Sequence, residues 1–201
     1  KERHLIRPLS PEQASQLIDQ PDTGKMDGVR DRAMIMLMLD SGLRISEALW
    51  LEAGRIDWKN RTLTVMGKGR KERVVPFSAE TGQALLEYAE ARERGPIQAP
   101  QFLLGRTGKR FCRNKARKLV RRYGKKAGIE GVRMSPHTLR HTFAVLYIRN
   151  GGDSFSLQEI LGHSTLEMTR HYVNLARRDV AEQHRKFAPI AALMHKNTEN
   201  I

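Results

Sequence analysis

Residues 31–40 read DRAMIMLMLD, a run that is apolar almost all round a helix and therefore predicts a helix buried on every side. A Ser-Gly pair ends this run, and residues 45–51 (ISEALWL) predict a second helix. Arg44 stands at the junction between the two helices. An unpaired arginine in such a place would be costly, so two interpretations stay open: a structural pair with Glu47, or a functional role for the guanidinium.

Beyond these helices the hydrophobic pattern changes to that of strands. Residues 62–66 (TLTVM) and 72–76 (ERVVP) flank a glycine-containing turn and predict a β-hairpin. Helical patterns cover residues 10–18, 79–94, 112–127, 135–150, 156–161, a segment opened by Ser164, and 178–194. The sequence therefore predicts an α+β fold that is mainly helical, with a small antiparallel β-hairpin or sheet on one side of the helical domain.

The charge balance indicates a polyanionic partner. The chain carries 36 Lys and Arg against 22 Asp and Glu, a formal net charge of +14, and DNA or RNA fits this excess best. No apolar run approaches the ~20 residues that span a bilayer, so we expect no membrane partner. Cys112 is the only cysteine, which excludes an internal disulfide, and no secretory signal is recognisable. We expect a cytoplasmic location.

The helix predicted over residues 112–127 has a polar face crowded with basic side chains. Such a face repels itself unless phosphates neutralise it, so it is a candidate DNA-binding surface. The candidate contacts are Arg113, Lys115, Arg117, Lys118, Arg121 and Arg122 on this helix, with Arg70 and Lys71 at the hairpin turn.

Residues 137–141 (HTLRH) open a capped helix, so His137, Arg140 and His141 at i, i+3 and i+4 share one face. Two histidines at this spacing resemble a zinc-binding helix, but position 138 is threonine where the protease motif has glutamate. Two interpretations stay open: these residues merely occupy a helix start, or they meet a phosphate at its N-terminus.

Two other segments are ambiguous when each is taken alone. Gly67-Lys68-Gly69 is either a flexible turn with a solvated lysine or part of a site. It is not a nucleotide-binding loop, because the pattern G-x-x-x-x-G-K-[ST] does not occur. Tyr172 alone proves nothing, since a half-buried tyrosine is commoner than a catalytic one.

Together these segments resemble the tyrosine recombinase and integrase family. Its signature is an arginine after a Ser/Thr-Gly-Leu turn, a hairpin lysine, H-x-x-R, L-G-H and a later tyrosine. The matching residues are Arg44 in SGLRISEAL, Lys68 in GKGRKERVVPF, His137 and Arg140 in HTLRHTFA, His163 in LGHS, and Tyr172 in MTRHYVNL. The resemblance spans nearly the whole chain in the family's order and spacing, which is far more specific than any one motif.

The resemblance implies a site-specific DNA recombinase of the integrase or excisionase type. Tyr172 would attack a phosphodiester and form a 3′-phosphotyrosine with a free 5′-hydroxyl, which a second strand can reverse without ATP. A tyrosine of pKa near ~10 is only about one part in a thousand ionised at pH 7, so the attack needs electrostatic help. Arg44 and Arg140 would supply it by offering charged, forked donors to the non-bridging oxygens.

The resemblance also implies roles for the remaining residues. Lys68 would protonate the leaving 5′-oxygen, His137 would assist proton transfer at the tyrosine, and His163 would add a further donor. Glu47 would support the site structurally. No metal and no other cofactor is implied.

Domain organisation and partners follow from the same resemblance. Residues 1–9 would be the linker from a missing N-terminal DNA-binding domain, 10–195 the catalytic domain and 196–201 a flexible tail. The partners would be a double-stranded DNA recombination site and other recombinase protomers, in a tetramer on DNA. A last helix with Phe187, Ile190, Leu193 and Met194 would dock onto a neighbouring protomer or pack within its own chain. Residues 151–175 are similar to integrases of mobile elements.

Three other functions are alternatives to that of a recombinase. A non-catalytic DNA-binding module needs only the charge of +14. Strand relaxation by a type IB topoisomerase shares the tyrosine chemistry. A metal-dependent nuclease would need a carboxylate cluster, which the candidate site lacks.

Overall fold

The computed structural model describes residues 7–67, 71–176 and the single positions 184, 188 and 190. Its elements in chain order are α1 (Pro11–Ile18), α2 (Met26–Ser41), α3 (Ile45–Trp50), a 3-10 turn (Ala53–Arg55), β1 (Ile56–Asp57), β2 (Thr62–Met66), β3 (Glu72–Pro76), α4 (Ala79–Glu93), α5 (Arg113–Lys126), α6 (Pro136–Arg149), α7 (Ser154–Leu161) and α8 (Leu166–Ala176). The predicted fold class, mainly helical with one small antiparallel sheet, is confirmed.

Helix α2 is the centre of the core, as its sequence predicts. Met34, Ile35 and Leu37 are fully buried, and the helix packs against α4 and α6. It begins at Met26, before the apolar run of residues 31–40, and its N-terminal part contains Arg30, which is buried. The Arg30 guanidinium forms ion pairs with Asp27 and Asp31, which offset the cost of burying its charge.

The predicted hairpin is confirmed, and the structure adds one strand to it. β1, β2 and β3 form an antiparallel sheet in that order, with Val65 opposite Arg73. The sequence did not reveal β1, because its two residues, Ile56–Asp57, are too few to show an alternating pattern.

Helices α6, α7 and α8 pack together beside the main core. Phe143, Ile148, Leu157 and Leu161 form a second apolar cluster there. Helix α7 begins two residues before the predicted start because the Asp153 side chain caps it by accepting from two backbone N–H groups. Within the described residues, no helix has the length and apolar character needed to cross a bilayer. The predicted last helix, 178–194, lies almost wholly outside the described residues.

Gly42 is the C-cap of α2 and has a left-handed conformation, with φ of 61°. We expect Gly42→Ala to lower the free energy of unfolding by about 2–4 kcal/mol, because the methyl group is strained there and overlaps the Phe143 ring. Gly54→Ala is the matched control, since a Cβ at Gly54 meets no atom within 4 Å. Urea unfolding measures both variants, and equal losses of stability would contradict this account of the α2–α6 contact.

Candidate active site

Arg140 lies at the centre of the candidate site and is only 7% exposed. Its Nη1 donates to the carbonyl of Gly42 at 2.7 Å, and its Nη2 donates to the carbonyl of Leu161 at 2.8 Å. These carbonyls lie at the C-terminal ends of α2 and α7, where a helix leaves carbonyls without partners and favours a cation. Arg140 therefore joins two helix ends and is itself positioned by them.

Arg140 remains positively charged although it is buried. Desolvation, and next the charge of Arg44, lower the pKa of Arg140 to about 10, while Glu47 and Tyr172 act in the opposite direction. A guanidinium of this pKa remains protonated at neutral pH. It can therefore act as a fixed cation for an anionic ligand.

His163 lies between Arg140 and helix α8. Its Nε2 is 3.2 Å from Nη2 of Arg140, and its Nδ1 is 3.1 Å from the hydroxyl of Thr169. Because arginine can only donate, Nε2 of His163 accepts and Nδ1 donates to Thr169. Burial, and then the charges of Arg140, Arg44 and Arg73, lower the pKa of His163 to about 4, so its ring is neutral at pH 7.

Tyr172 lies on α8 and faces the same cluster. Its ring centroid is 6.1 Å from that of His163, with the two planes nearly parallel, and 5.2 Å from that of His141. Burial raises the pKa of Tyr172, while Arg140 and Arg44 act to lower it. His141, whose role the sequence did not indicate, is buried beside the tyrosine and thus packs against the site.

The predicted pair of Arg44 with Glu47 is present. Nη1 of Arg44 donates to Oε1 of Glu47 at 2.9 Å, and the backbone N–H of Arg44 donates to Oε2 at 2.8 Å. The Arg44 side chain nevertheless keeps 34% of its surface exposed, whereas Glu47 keeps 5%. The two interpretations of Arg44 are therefore compatible, because the paired guanidinium is still open to a ligand.

Arg73 is a residue of this cluster that the sequence analysis missed. Its Nη1 and Nη2 donate to the two carboxylate oxygens of Glu47, each at 2.9 Å. Burial alone would raise the pKa of Glu47, but hydrogen bonds from Arg73 and Arg44 outweigh it and lower that pKa. The alternation of β3 could have indicated Arg73, since it shares the inner face of the strand with Val75.

His137 lies at the edge of the cluster, exposed in the first turn of α6. Partial desolvation, and then the charges of Arg117 and Arg113, lower the pKa of His137. These charges connect the basic helix to the site, because Arg113 and Arg117 are four residues apart on α5 and therefore share the face near His137.

Helix α5 is amphipathic, as predicted. Ala116, Leu119, Val120 and Tyr123 are buried, and the candidate DNA contacts Arg113, Lys115, Arg117, Lys118, Arg121 and Arg122 are all exposed. Arg122 also lies over the Tyr123 ring and 3.8 Å from Asp31, so part of its role is structural.

Two predicted residues, Lys68 and Arg70, lie outside the described residues. Lys71 is described and is exposed at the base of the turn. In the part of the chain that the structure describes, no three His, Cys, Asp or Glu residues group so as to hold a metal ion. The structure thus brings together Arg44, Glu47, Arg140, His163 and Tyr172, with His137 at the margin.

This arrangement is suited to binding a phosphate. Arg44, Arg73 and Arg140 are three cations, and Glu47 is the one carboxylate that hydrogen-bonds any of them among the described residues. The excess positive charge lies beside a tyrosine hydroxyl and a neutral imidazole. Cationic donors positioned in this way can stabilise negative charge that develops during phosphoryl transfer.

Comparison with known proteins agrees with this geometry. Residues 7–178 match the model of the phage integrase family. The tyrosine recombinase XerC of Chlamydia caviae is 36% identical over 189 residues, which cover 93% of this chain and 60% of that protein. The chain thus spans about three fifths of the length of the curated relatives it matches.

Solved structures of recombinases are similar to this chain in fold. The XerA recombinase superposes with a TM-score of 0.78 at 29% identity, covering 92% of this chain and 66% of that chain. The XerH site-specific recombinase bound to difH substrate, in a pre-cleavage complex, gives a TM-score of 0.74 at 26% identity, covering 91% of this chain and 53% of that chain.

The lowered pKa of His163 makes stability depend on pH. The folded-state pKa of about 4 lies below the ordinary value of 6.5, so the unfolded chain binds a proton first as the pH falls. The resulting stability is present above pH 6.5 and is lost as the pH falls towards 4. We expect urea unfolding to show a loss on the order of 2 kcal/mol, less than the full shift gives because the ring is partly solvated.

His163→Gln should remove most of this dependence, because its amide does not titrate. His137→Gln is the control, since His137 is exposed and should change the profile less. A His163→Gln profile as steep as that of the parent protein would refute the assignment.

Proposed function

Because the chain belongs to the phage integrase family, we propose that it cleaves and rejoins DNA strands as the catalytic part of a site-specific tyrosine recombinase. The observation that carries the proposal is the convergence of Arg44, Arg140, His163 and Tyr172 in one cluster from α3, α6, the end of α7 and α8. A bare DNA-binding surface has no need for a tyrosine beside buried arginines.

In the proposed reaction, the oxygen of Tyr172 forms a bond to a backbone phosphorus and the bond to the 5′-oxygen breaks. The tyrosine proton must leave, and the departing 5′-oxygen must gain one. We assign the first transfer to assistance by His137 and the second to Lys68, as the family resemblance implies. Arg44 and Arg140 stabilise the extra charge of the pentacoordinate transition state.

Burial of Tyr172 makes proton transfer an essential part of this step. The pKa of Tyr172 is raised above its ordinary value although two arginines lie nearby. An incoming phosphate neutralises part of the arginine charge and so cannot lower that pKa further. The hydroxyl therefore loses its proton during the attack rather than before it.

Helix α5 would hold the DNA beside the cluster. Its exposed basic face continues to His137 through Arg113 and Arg117, so the phosphates that it binds lie next to the site. Lys71 and the hairpin turn would contact the same duplex. Binding of DNA phosphates at this surface would account for the excess of basic residues in the chain.

The larger assembly is part of the proposal. We propose a tetramer on double-stranded DNA, with the C-terminal segment that contains Phe187, Ile190, Leu193 and Met194 docking onto a neighbouring protomer. The relatives cited above are Xer recombinases, whereas residues 151–175 are similar to integrases of mobile elements. A role in a mobile element, the preceding DNA-binding domain and a cytoplasmic location remain predictions.

The first test is covalent attachment. We expect the parent protein, in EDTA, to form a denaturation-resistant adduct with a nicked duplex that carries a candidate site, and Tyr172→Phe to form none while it still binds the DNA. Tyr147→Phe on α6 is the matched control and should keep the adduct. An adduct with Tyr172→Phe would refute the nucleophile, and DNA binding without any adduct would favour a non-catalytic binding module.

A second test concerns the basic helix. We expect the double variant Arg113→Gln and Arg117→Gln to weaken DNA binding and to reduce the slope of log affinity against log salt by about 2, one for each lost phosphate contact. The variant Lys125→Gln and Lys126→Gln removes the same charge from the far end of α5, roughly 15 Å away. Equal changes in both variants would show that net charge, rather than position, determines binding.

A further inference from the structure

Arg73 on β3 contacts two segments that carry proposed functional residues, although the family resemblance assigned it no role. Its side chain is 13% exposed, and each nitrogen of its guanidinium donates a hydrogen bond. These hydrogen bonds reach α3 and the end of α7.

The first contact orients Arg44. Arg73 holds both oxygens of Glu47 at 2.9 Å, and each of those oxygens also accepts from Arg44. A carboxylate held by one planar fork cannot rotate without breaking two hydrogen bonds at once. The orientation of Glu47, and through it that of Arg44, therefore depends on Arg73.

The second contact positions the turn that presents His163. Nε of Arg73 donates to the carbonyl of Ile160 at 2.9 Å. The next carbonyl, that of Leu161, accepts from Arg140. Two arginines thus hold the last two carbonyls of α7, and His163 follows two residues later.

The packing against Gly162 makes this second contact close. A Cβ on Gly162 would lie 3.1–3.2 Å from Nε, Cδ and Cζ of Arg73, so the arginine lies directly on the backbone of the turn. Gly162 also has a left-handed conformation, with φ of 62°, which allows the chain to turn towards His163 at this point.

Arg73 also lies near the base of the hairpin turn. A Cβ on Gly67 would be 3.6 Å from Nη1 of Arg73, and the N–H of Gly67 donates to the carbonyl of Lys71 at 2.8 Å. Gly67 immediately precedes Lys68 in the sequence. The guanidinium is therefore a near neighbour of Gly67, without a hydrogen bond to it.

We propose that Arg73 is a positioning residue, which holds the Arg44–Glu47 pair and the His163 turn in register. The inference rests on the proposed function and deepens it. Arg73 does not touch the reacting atoms in this assignment. Its effect is to fix the relative positions of two groups that do, Arg44 and His163, and a displacement of about 1 Å between such groups can cost about 10²-fold in rate.

The variant Arg73→Lys distinguishes the effect of the side-chain geometry at position 73 from the effect of its charge. A lysine keeps the positive charge beside Glu47, but its compact ammonium cannot hold both carboxylate oxygens and the carbonyl of Ile160 in the same fixed geometry. Arg55→Lys is the matched control, because Arg55 pairs with Glu72, the neighbour of Arg73 on β3, at the exposed surface. Arg73→Gln is a second variant, and each protein is assayed where its melting curve shows it folded.

We expect Arg73→Lys to lower the melting temperature by only about 2–4 °C. Single-turnover adduct formation at saturating DNA should fall about 10²-fold, while the Kd for DNA changes less than about threefold. Arg55→Lys should form the adduct within about twofold of the parent rate. Adduct formation by Arg73→Lys within about threefold of the parent, or a loss that only follows the unfolded fraction, would overturn the proposal.

Titration of His163 by NMR gives a readout independent of catalysis. The parent ring should titrate near the value of about 4, and Arg73→Lys should move it upward, because a displaced turn exposes the ring to water. Because lysine keeps the positive charge, such a rise in the pKa of His163 indicates that the turn has moved. An unchanged titration would overturn the proposal. Absence of an adduct in the parent protein would instead refute the proposed function, and the His163 titration would still decide the role of Arg73.

Discussion

The buried guanidinium of Arg140 is the interaction on which the rest of the site depends. Moving a charge from water into a protein costs several kcal/mol, and this cost is offset only when the donors find good acceptors. Here the acceptors are the carbonyls of Gly42 and Leu161, at the C-terminal ends of two different helices. One cation therefore fixes the approach of α2, α6 and α7. The left-handed conformation of Gly42 is part of the same arrangement, because it turns the chain from α2 towards Arg44.

The fold also concentrates positive charge that it only partly compensates. Arg44 lowers the pKa of Arg140, which means that the two cations repel each other across the site. Glu47 relieves this repulsion, but it is shared with Arg73 and is fully engaged by two guanidinium groups. An incoming phosphate would relieve the remaining repulsion while it accepts hydrogen bonds from Arg44. The site is thus less favourable without an anion than with one, and this difference favours binding of a phosphate over a neutral ligand.

The sequence predicts those features that depend on local patterns. The buried run of α2, the caps of α1 and α6, the hairpin and the basic face of α5 all follow from periodicity and capping residues. The pair of Arg44 with Glu47 was also predictable, because the residues are three positions apart at the start of one helix. Recognition of the whole set of site residues came from their resemblance to a family, since each motif alone had an ordinary structural explanation.

Features that depend on distant parts of the chain were not predictable. Arg73 lies 26 positions from Glu47 and 87 positions from Ile160, so the sequence places it on the inner face of β3 without revealing its partners. Arg30 interrupts the apolar pattern at the start of α2. Its burial could not be predicted, because its partners include the distant carbonyl of Leu104 and the ring of Phe111. In both cases a charged residue contradicts the local hydrophobic pattern. The contradiction is itself a signal that a partner exists, even when the partner cannot be identified.

The hydrogen bonds of His163 indicate how its role would change if a phosphate bound at the site. In the structure, Nε2 accepts from Arg140 and Nδ1 donates to Thr169, so a neutral ring has no further donor to offer. A phosphate that accepts from Arg140 would compete with Nε2 for the same N–H group. Its negative charge would also raise the pKa of His163 from about 4, because it offsets the arginines that now disfavour the imidazolium. Binding of a phosphate would therefore favour protonation of His163, and an imidazolium would be able to donate through Nε2 to that phosphate.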